Sequence, residues 1–113
     1  MKSAFWDDVS DDVQDLEFAR TYAGEAIRIR TIDSIVNALN NAAEAEGMTR
    51  TEIARAAGMQ AAAVRRLLTA TTVNPTVTTL VEVAATLGYR VTLEKMTTSE
   101  RREITEPMRK VAA

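Results

Sequence analysis

The clearest potential for chemistry lies in one short segment. Gln60, Arg65 and Arg66 fall within seven residues of one another and accompany Ala61 and Ala62. Amide and guanidinium groups donate hydrogen bonds to base edges and phosphates, and an alanine methyl group packs against the methyl group of thymine. These five residues are therefore candidates for contact with the major groove of a nucleic acid.

Composition excludes most other chemistry. The chain has no cysteine and no histidine, so zinc-finger sites, thiol nucleophiles and imidazole acid–base groups are absent. No positioned nucleophile or phosphate-binding loop is visible, so we expect no enzyme, no metal and no cofactor. The longest apolar stretches are far shorter than the roughly 20 residues of a membrane span, and the N-terminus does not resemble a signal peptide. A cytoplasmic protein without a membrane partner is expected.

Charge is unevenly distributed along the chain. The 113 residues carry a net charge of −2, but residues 49–76 contain four arginines and one glutamate, while residues 1–48 are strongly acidic. Phosphate affinity depends on charge at the contacting surface rather than on the total. The distribution therefore permits nucleic-acid binding by the central segment.

Two short helices are predicted around this segment. Thr49 followed by Glu52 forms a capping box, which predicts a helix ending at Ala57. Gly58 then supplies a turn, because glycine accepts a positive φ angle. A second helix is predicted over 60–69. The pair indicates a helix-turn-helix.

The crossing of the two helices requires a small residue on the first. Ala54 occupies that position, and Val64 and Leu67 anchor the second helix to the core. The face opposite these anchors carries Arg65 and Arg66. The second helix is therefore predicted to be the recognition helix, although its arginines and alanines also suit an ordinary solvated helix.

Further elements flank the two helices. Asp15 is predicted to cap a helix that begins at Leu16, and an amphipathic pattern continues to Gly47 as one helix or two. Pro75 is predicted to open a later helix, with five inward positions: Val77, Leu80, Val81, Ala84 and Leu87. Apolar and polar residues then alternate over 89–95, which predicts a short strand. The polar tail from residue 97 is expected to be mobile.

Residues 48–88 resemble the lambda-repressor-like XRE family, typified by lambdoid phage repressors and Cro. The resemblance is carried by Met48, Thr49, Arg50, Glu52, Ile53, Ala54, Gly58, Val64, Leu67 and Pro75. It implies an all-α helix-turn-helix bundle, here with an N-terminal helical extension and one short C-terminal β-strand. Arg50 replaces the usual glutamine, which shifts its contact toward a phosphate. Ala61 and Ala62 replace polar residues that often read bases.

The expected domain organisation has four parts. Residues 1–30 form an acidic, aromatic-bearing extension, residues 31–88 the DNA-binding domain, residues 89–96 a strand for dimerisation and residues 97–113 a flexible tail.

The flanks are similar to those of HigA-type antitoxins. The segment 15–22 resembles their lead-in helix, with Leu16 in place of a proline, and 87–93 resembles the strand that follows their last helix. The resemblance implies a transcriptional repressor that binds a RelE/HigB-type toxin and autoregulates its toxin–antitoxin operon.

A homodimer on a palindromic operator in double-stranded DNA is expected, with recognition helices about 34 Å apart. The expected DNA contacts are Arg50, Gln60, Ala61, Ala62, Arg65, Arg66, Thr71, Thr72, Asn74 and Thr76. The strand would pair across the two-fold axis or within the chain, with Tyr89, Val91 and Leu93 at the dimer interface.

The aromatic residues Phe5, Trp6, Phe18 and Tyr22 either pack on their own domain or form a partner-binding surface. An acidic run nearby would attract a basic toxin.

Two other functions stay open. One is a stand-alone XRE-family transcription regulator without a toxin partner. The other is a protein-interaction module that has lost DNA binding, as an alanine-rich recognition helix would allow.

Overall fold

The structure, a computed structural model, describes residues 4–69 and 74–113, with side chains from residue 12 onward. All the regular elements in these ranges are helical. The elements are α1 (Ala4–Glu46), α2 (Arg50–Ala57), α3 (Ala61–Thr69), α4 (Val77–Thr86), α5 (Thr98–Glu100), a π-helical stretch (Arg101–Thr105) and α6 (Glu106–Lys110).

Helix α1 is a single element of 43 residues. It contains no proline, and the backbone continues through Gly24 without a break. The helix ends as predicted at Gly47, whose φ of 64° is left-handed. There the Met48 amide donates to the Ala43 carbonyl at 3.0 Å. The predicted cap at Asp15 is wrong, because the helix begins eleven residues earlier and Asp15 lies in its interior.

The chain divides into two compact units: Thr31–Leu93, and Met1–Arg30 together with Glu94–Ala113. The first unit has the larger core. Its buried members come from the end of α1, from α2, α3 and α4, and from the residue that follows α4: Leu39, Ala42, Ala43, Ile53, Ala54, Val64, Leu67, Leu68, Val83, Ala84 and Leu87. Helices α2 and α3 therefore pack on a core whose residues all belong to the unit Thr31–Leu93.

The inward face of α4 differs from the prediction. Val77 and Val81 were expected to be buried, but both are exposed, and Val83 is buried instead. Positions 80, 83, 84 and 87 have the same helical spacing as the predicted set. Periodicity alone could not choose between two valine-containing stripes on one short helix.

The predicted C-terminal strand is wrong. Residues 89–97 form no strand, and the Leu93 side chain is fully exposed. The Tyr89 amide donates at 2.8 Å to the Ala84 carbonyl, which terminates α4. A strand needs a neighbour for its backbone hydrogen bonds, and the described ranges contain no second strand. The segment in which apolar and polar residues alternate is therefore irregular.

No helix was predicted in the tail, but it is helical from residue 98 to residue 110. A second capping box starts it: the Glu100 amide donates to the Thr97 hydroxyl at 3.1 Å, and the Thr97 amide donates to the Glu100 carboxylate at 3.0 Å. Ile104 is buried. The capping box and the burial of Ile104 define this helical segment.

Helix α1 is long enough to cross a bilayer but too polar, and no other helix among the described residues combines the length and apolar character of a membrane span.

Two glycine-to-alanine substitutions are expected to have opposite effects on stability. At Gly58 the φ of 68° is unfavourable for any side chain, so Gly58→Ala lowers the free energy of unfolding by about 1–2 kcal/mol. At Gly24, inside α1, an added methyl group meets nothing within 4 Å, so Gly24→Ala raises that free energy by about 0.5–1 kcal/mol. Urea denaturation of both variants measures the two effects. Equal shifts of the same sign would contradict the left-handed turn.

Candidate nucleic-acid interface

Helix α2 begins with the capping box that the sequence predicted. The Glu52 amide donates to the Thr49 hydroxyl at 3.1 Å, and the Thr49 amide donates to the Glu52 carboxylate at 3.0 Å. Each bond satisfies an amide that the helix itself leaves unpaired. The start of the motif is thereby defined by two reciprocal hydrogen bonds.

The turn after α2 is compact because Gly58 is left-handed. The Met59 amide then donates to the Ala54 carbonyl at 2.8 Å. Ala54 is itself buried in the core between the helices. A larger side chain at this position would collide with the packed neighbours. The small residue and the glycine thus perform the roles that the sequence predicted for them.

Helix α3 has one buried and one exposed face. Val64, Leu67 and Leu68 lie in the core, while Gln60, Ala62, Arg65 and Arg66 are exposed. Ala61, also predicted to face outward, is half-buried and packs against the core. The exposed face of α3 therefore centres on Ala62, with an arginine on either side.

The two arginines of α3 are free to bind an external anion. Among the residues that the structure describes, neither Arg65 nor Arg66 has an acidic side chain within ion-pair distance. No buried polar side-chain atom in those residues lacks a partner. The motif therefore contains unneutralised positive charge on its surface and none in its core.

One supporting residue was missed by sequence analysis. The Asn40 side-chain amide donates to the Leu68 carbonyl at 3.0 Å and to the Val36 carbonyl at 3.1 Å. The first bond joins the last turn of α3 to α1 and satisfies a carbonyl that the helix leaves free. An asparagine inside the apolar stripe of a predicted helix was the available signal.

The remaining predicted DNA contacts surround α3. Arg50, Asn74 and Thr76 are exposed, and Arg66, Asn74 and Thr79 line one groove beside the helix. The Thr76 hydroxyl accepts a hydrogen bond from the Thr79 amide at 3.1 Å, so it caps α4. Thr71 and Thr72 lie outside the described residues.

The predicted partner residues that the structure describes are exposed. The rings of Phe18 and Tyr22 stack with their centroids 6.4 Å apart, and 73% and 69% of the two residues is accessible to solvent. Neither ring is covered by the described side chains of its own unit. The side chains of Phe5 and Trp6 lie outside those described. Tyr89, Val91 and Leu93, predicted at a dimer interface, are exposed as well.

Stability should depend on pH through the capping box of α2. The Thr49 amide and hydroxyl hold the pKa of Glu52 below its usual value of 4.5. A lowered pKa means that the folded state favours the carboxylate, so the stabilisation is complete above about pH 4.5 and disappears as the pH falls through the lowered pKa. Glu52→Gln removes the titrating group. The difference in Tm between wild type and variant should shrink from pH 7 to pH 3, whereas a constant difference would contradict this origin.

The described geometry is that of a helix-turn-helix: two short helices cross at a small buried residue, and the second exposes a basic face. Residues 39–93 match the HTH_3 family model, described as helix-turn-helix. The geometry and the match agree on a helix-turn-helix in this part of the chain, which is similar to the XRE-type family of DNA-binding regulators. No curated protein and no solved structure gives a significant match to the chain.

Proposed function

We propose that this protein is a transcriptional repressor that binds a palindromic operator as a homodimer, with α3 of each copy in the major groove. The observation that carries the proposal is the exposed face of α3, where Arg65 and Arg66 flank Ala62 without any acidic partner among the described residues. An unneutralised basic face on a rigid helix suits a polyanion.

The contacts divide into two kinds. Phosphates are bound by Arg50, by the N-terminal end of α4 near Asn74 and Thr76, and by the segment that contains Thr71 and Thr72. Base edges are read by Gln60 and the two arginines of α3. The methyl group of Ala62 contacts thymine, and the half-buried Ala61 lets the helix approach the groove closely. Sequence readout therefore rests on few polar side chains.

A gel shift with the DNA immediately upstream of the protein's own reading frame tests this function. We expect a complex that survives an excess of unrelated duplex. Binding that the unrelated duplex abolishes would contradict operator recognition. The absence of any complex would favour the protein-interaction module that has lost DNA binding.

The finer proposal is that the repressor is the antitoxin of a RelE/HigB-type toxin–antitoxin operon, acting in the cytoplasm. It is supported by the stacked and exposed pair Phe18 and Tyr22, and by the acidic side chains Asp15 and Glu25 at neighbouring positions of α1. Aromatic anchors contribute strongly to protein interfaces. Acidic neighbours favour a basic partner such as an RNA-cleaving toxin.

Co-expression with the product of the adjacent reading frame tests the antitoxin role. Phe18→Ala combined with Tyr22→Ala should abolish co-purification of the adjacent product while operator binding persists. Arg65→Ala combined with Arg66→Ala is the matched control, which should lose operator binding and keep the partner. If wild type captures no partner, the stand-alone regulator is favoured.

A further inference from the structure

The unit Thr31–Leu93 exposes an unusual amount of apolar surface in one stretch of its sequence. Its exposed large hydrophobic side chains, among the described residues, all fall within residues 77–93. They are Val77 (70% exposed), Val81 (45%), Tyr89 (56%), Val91 (45%) and Leu93 (103%). We call these five residues the α4 patch. Single exposed apolar residues are ordinary, but five within 17 residues are not.

The core of the unit does not need the α4 patch. Helix α4 already contributes Val83 and Ala84 to the core, with Leu80 packed against it and Leu87 following. Val77 and Val81 are one helical turn apart on the flank of that stripe, so they form a second apolar row on the same helix. This second row has no partner within its own unit.

The α4 patch also carries little charge. Residues 77–93 contain one carboxylate, Glu82, one arginine, Arg90, and no lysine. The segment of α2 and α3, by contrast, carries four arginines. Depletion of charge distinguishes the centre of a protein–protein interface from ordinary surface. The patch and the basic face thus have different partners.

The area of the α4 patch decides what kind of partner fits. Its five side chains expose a few hundred Å² of apolar surface, in the range of the largest patches on monomers (about 300–600 Å²). A stable interface buries about 800 Å² on each side, including a polar rim. One patch packed against an identical patch therefore supplies most of the core of a standard dimer interface.

We propose that the α4 patch is the homodimer interface, and that its occupant is the same patch of a second copy of this chain. A surface nearly free of charge does not repel its own copy, as a two-fold interface requires. The association buries side chains of α4 and of residues 89–93. This inference rests on the proposed homodimeric repressor and names the surface that assembles it.

Sedimentation velocity of the full chain over a range of concentrations tests the proposal. Wild type should sediment as a dimer. Val77→Glu and Leu93→Glu should each raise the dimer dissociation constant at least tenfold, and the double variant should be monomeric. Both side chains are exposed, so circular dichroism should show an unchanged helical fold. The conservative variants Val77→Leu and Leu93→Met should remain dimeric.

Phe18→Glu is the matched control, because it places the same charge on an equally exposed apolar side chain of the other unit. It should leave the dimer intact. A wild-type chain that is monomeric at all concentrations would overturn the proposal, and so would dissociation by Phe18→Glu but not by the α4 variants. If the chain is dimeric but does not bind operator DNA, that result would contradict the proposed repressor function and not the dimer interface.

Discussion

Replacing Arg65 and Arg66 together by alanine lowers the affinity for operator DNA at least tenfold at physiological salt. An arginine that binds a base edge contributes about 1–3 kcal/mol, and each lost phosphate contact reduces the salt dependence of log K by about 0.9 units. Both side chains are exposed and neither supports the core, so the fold should persist. Fluorescence anisotropy at several salt concentrations measures affinity and slope together.

The chain contains a matched control for this prediction. Arg101 and Arg102 are a second adjacent arginine pair, in the other unit. Their double replacement changes the net charge equally, but should leave operator affinity within about twofold. If both double variants lose affinity to the same extent, binding depends on overall charge, and α3 has no special role.

Ile53→Ala should be among the most destabilising single substitutions in the domain. Ile53 is completely buried in α2, among core residues of α1, α3 and α4. Truncating a fully packed isoleucine to alanine costs about 2–5 kcal/mol, through lost burial and the cavity that remains. Chemical denaturation should show this loss, and operator binding should fall because the unfolded fraction does not bind.

Ile29→Ala removes the same atoms from an exposed position in α1. It should change the free energy of unfolding by less than about 1 kcal/mol, as exposed substitutions usually do. Equal costs at Ile29 and Ile53 would mean that the core around α2 is not packed as described.

The helix-turn-helix could be predicted from sequence because its signals are local. The capping box of Thr49, the left-handed Gly58 and the small Ala54 each act within a few residues of one another. The structure confirms all three. The family resemblance came from the same residues, and the match over residues 39–93 includes them.

The errors arose where a tertiary partner decides the outcome. From the sequence, either Val77 or Val83 could face the core from α4. Only the packing of the neighbouring helices determines that Val83 is the buried one. The alternation after Tyr89 suits a strand, but the described chain offers no second strand to pair with it. Asn40 was missed because its partner, the Leu68 carbonyl, lies 28 residues away. Sequence periodicity describes each helix or strand separately and carries no information about the contacts between them.

The exposure of Phe18 and Tyr22 was likewise undecidable from sequence. Aromatic residues on an amphipathic helix can either pack within their own domain or form a surface for a partner. The structure shows both rings stacked on each other and exposed, and their role in a partner surface stays a prediction.

An NMR titration of the isotope-labelled protein with its upstream DNA tests the central claim most directly. The largest amide shifts should fall on α3, at Ala61, Ala62, Arg65 and Arg66, with smaller shifts near Arg50 and Thr76. Amides of α1 between Phe18 and Ile29 should not respond. Shifts concentrated in α1 or α6, with α3 unchanged, would contradict the placement of α3 in the groove.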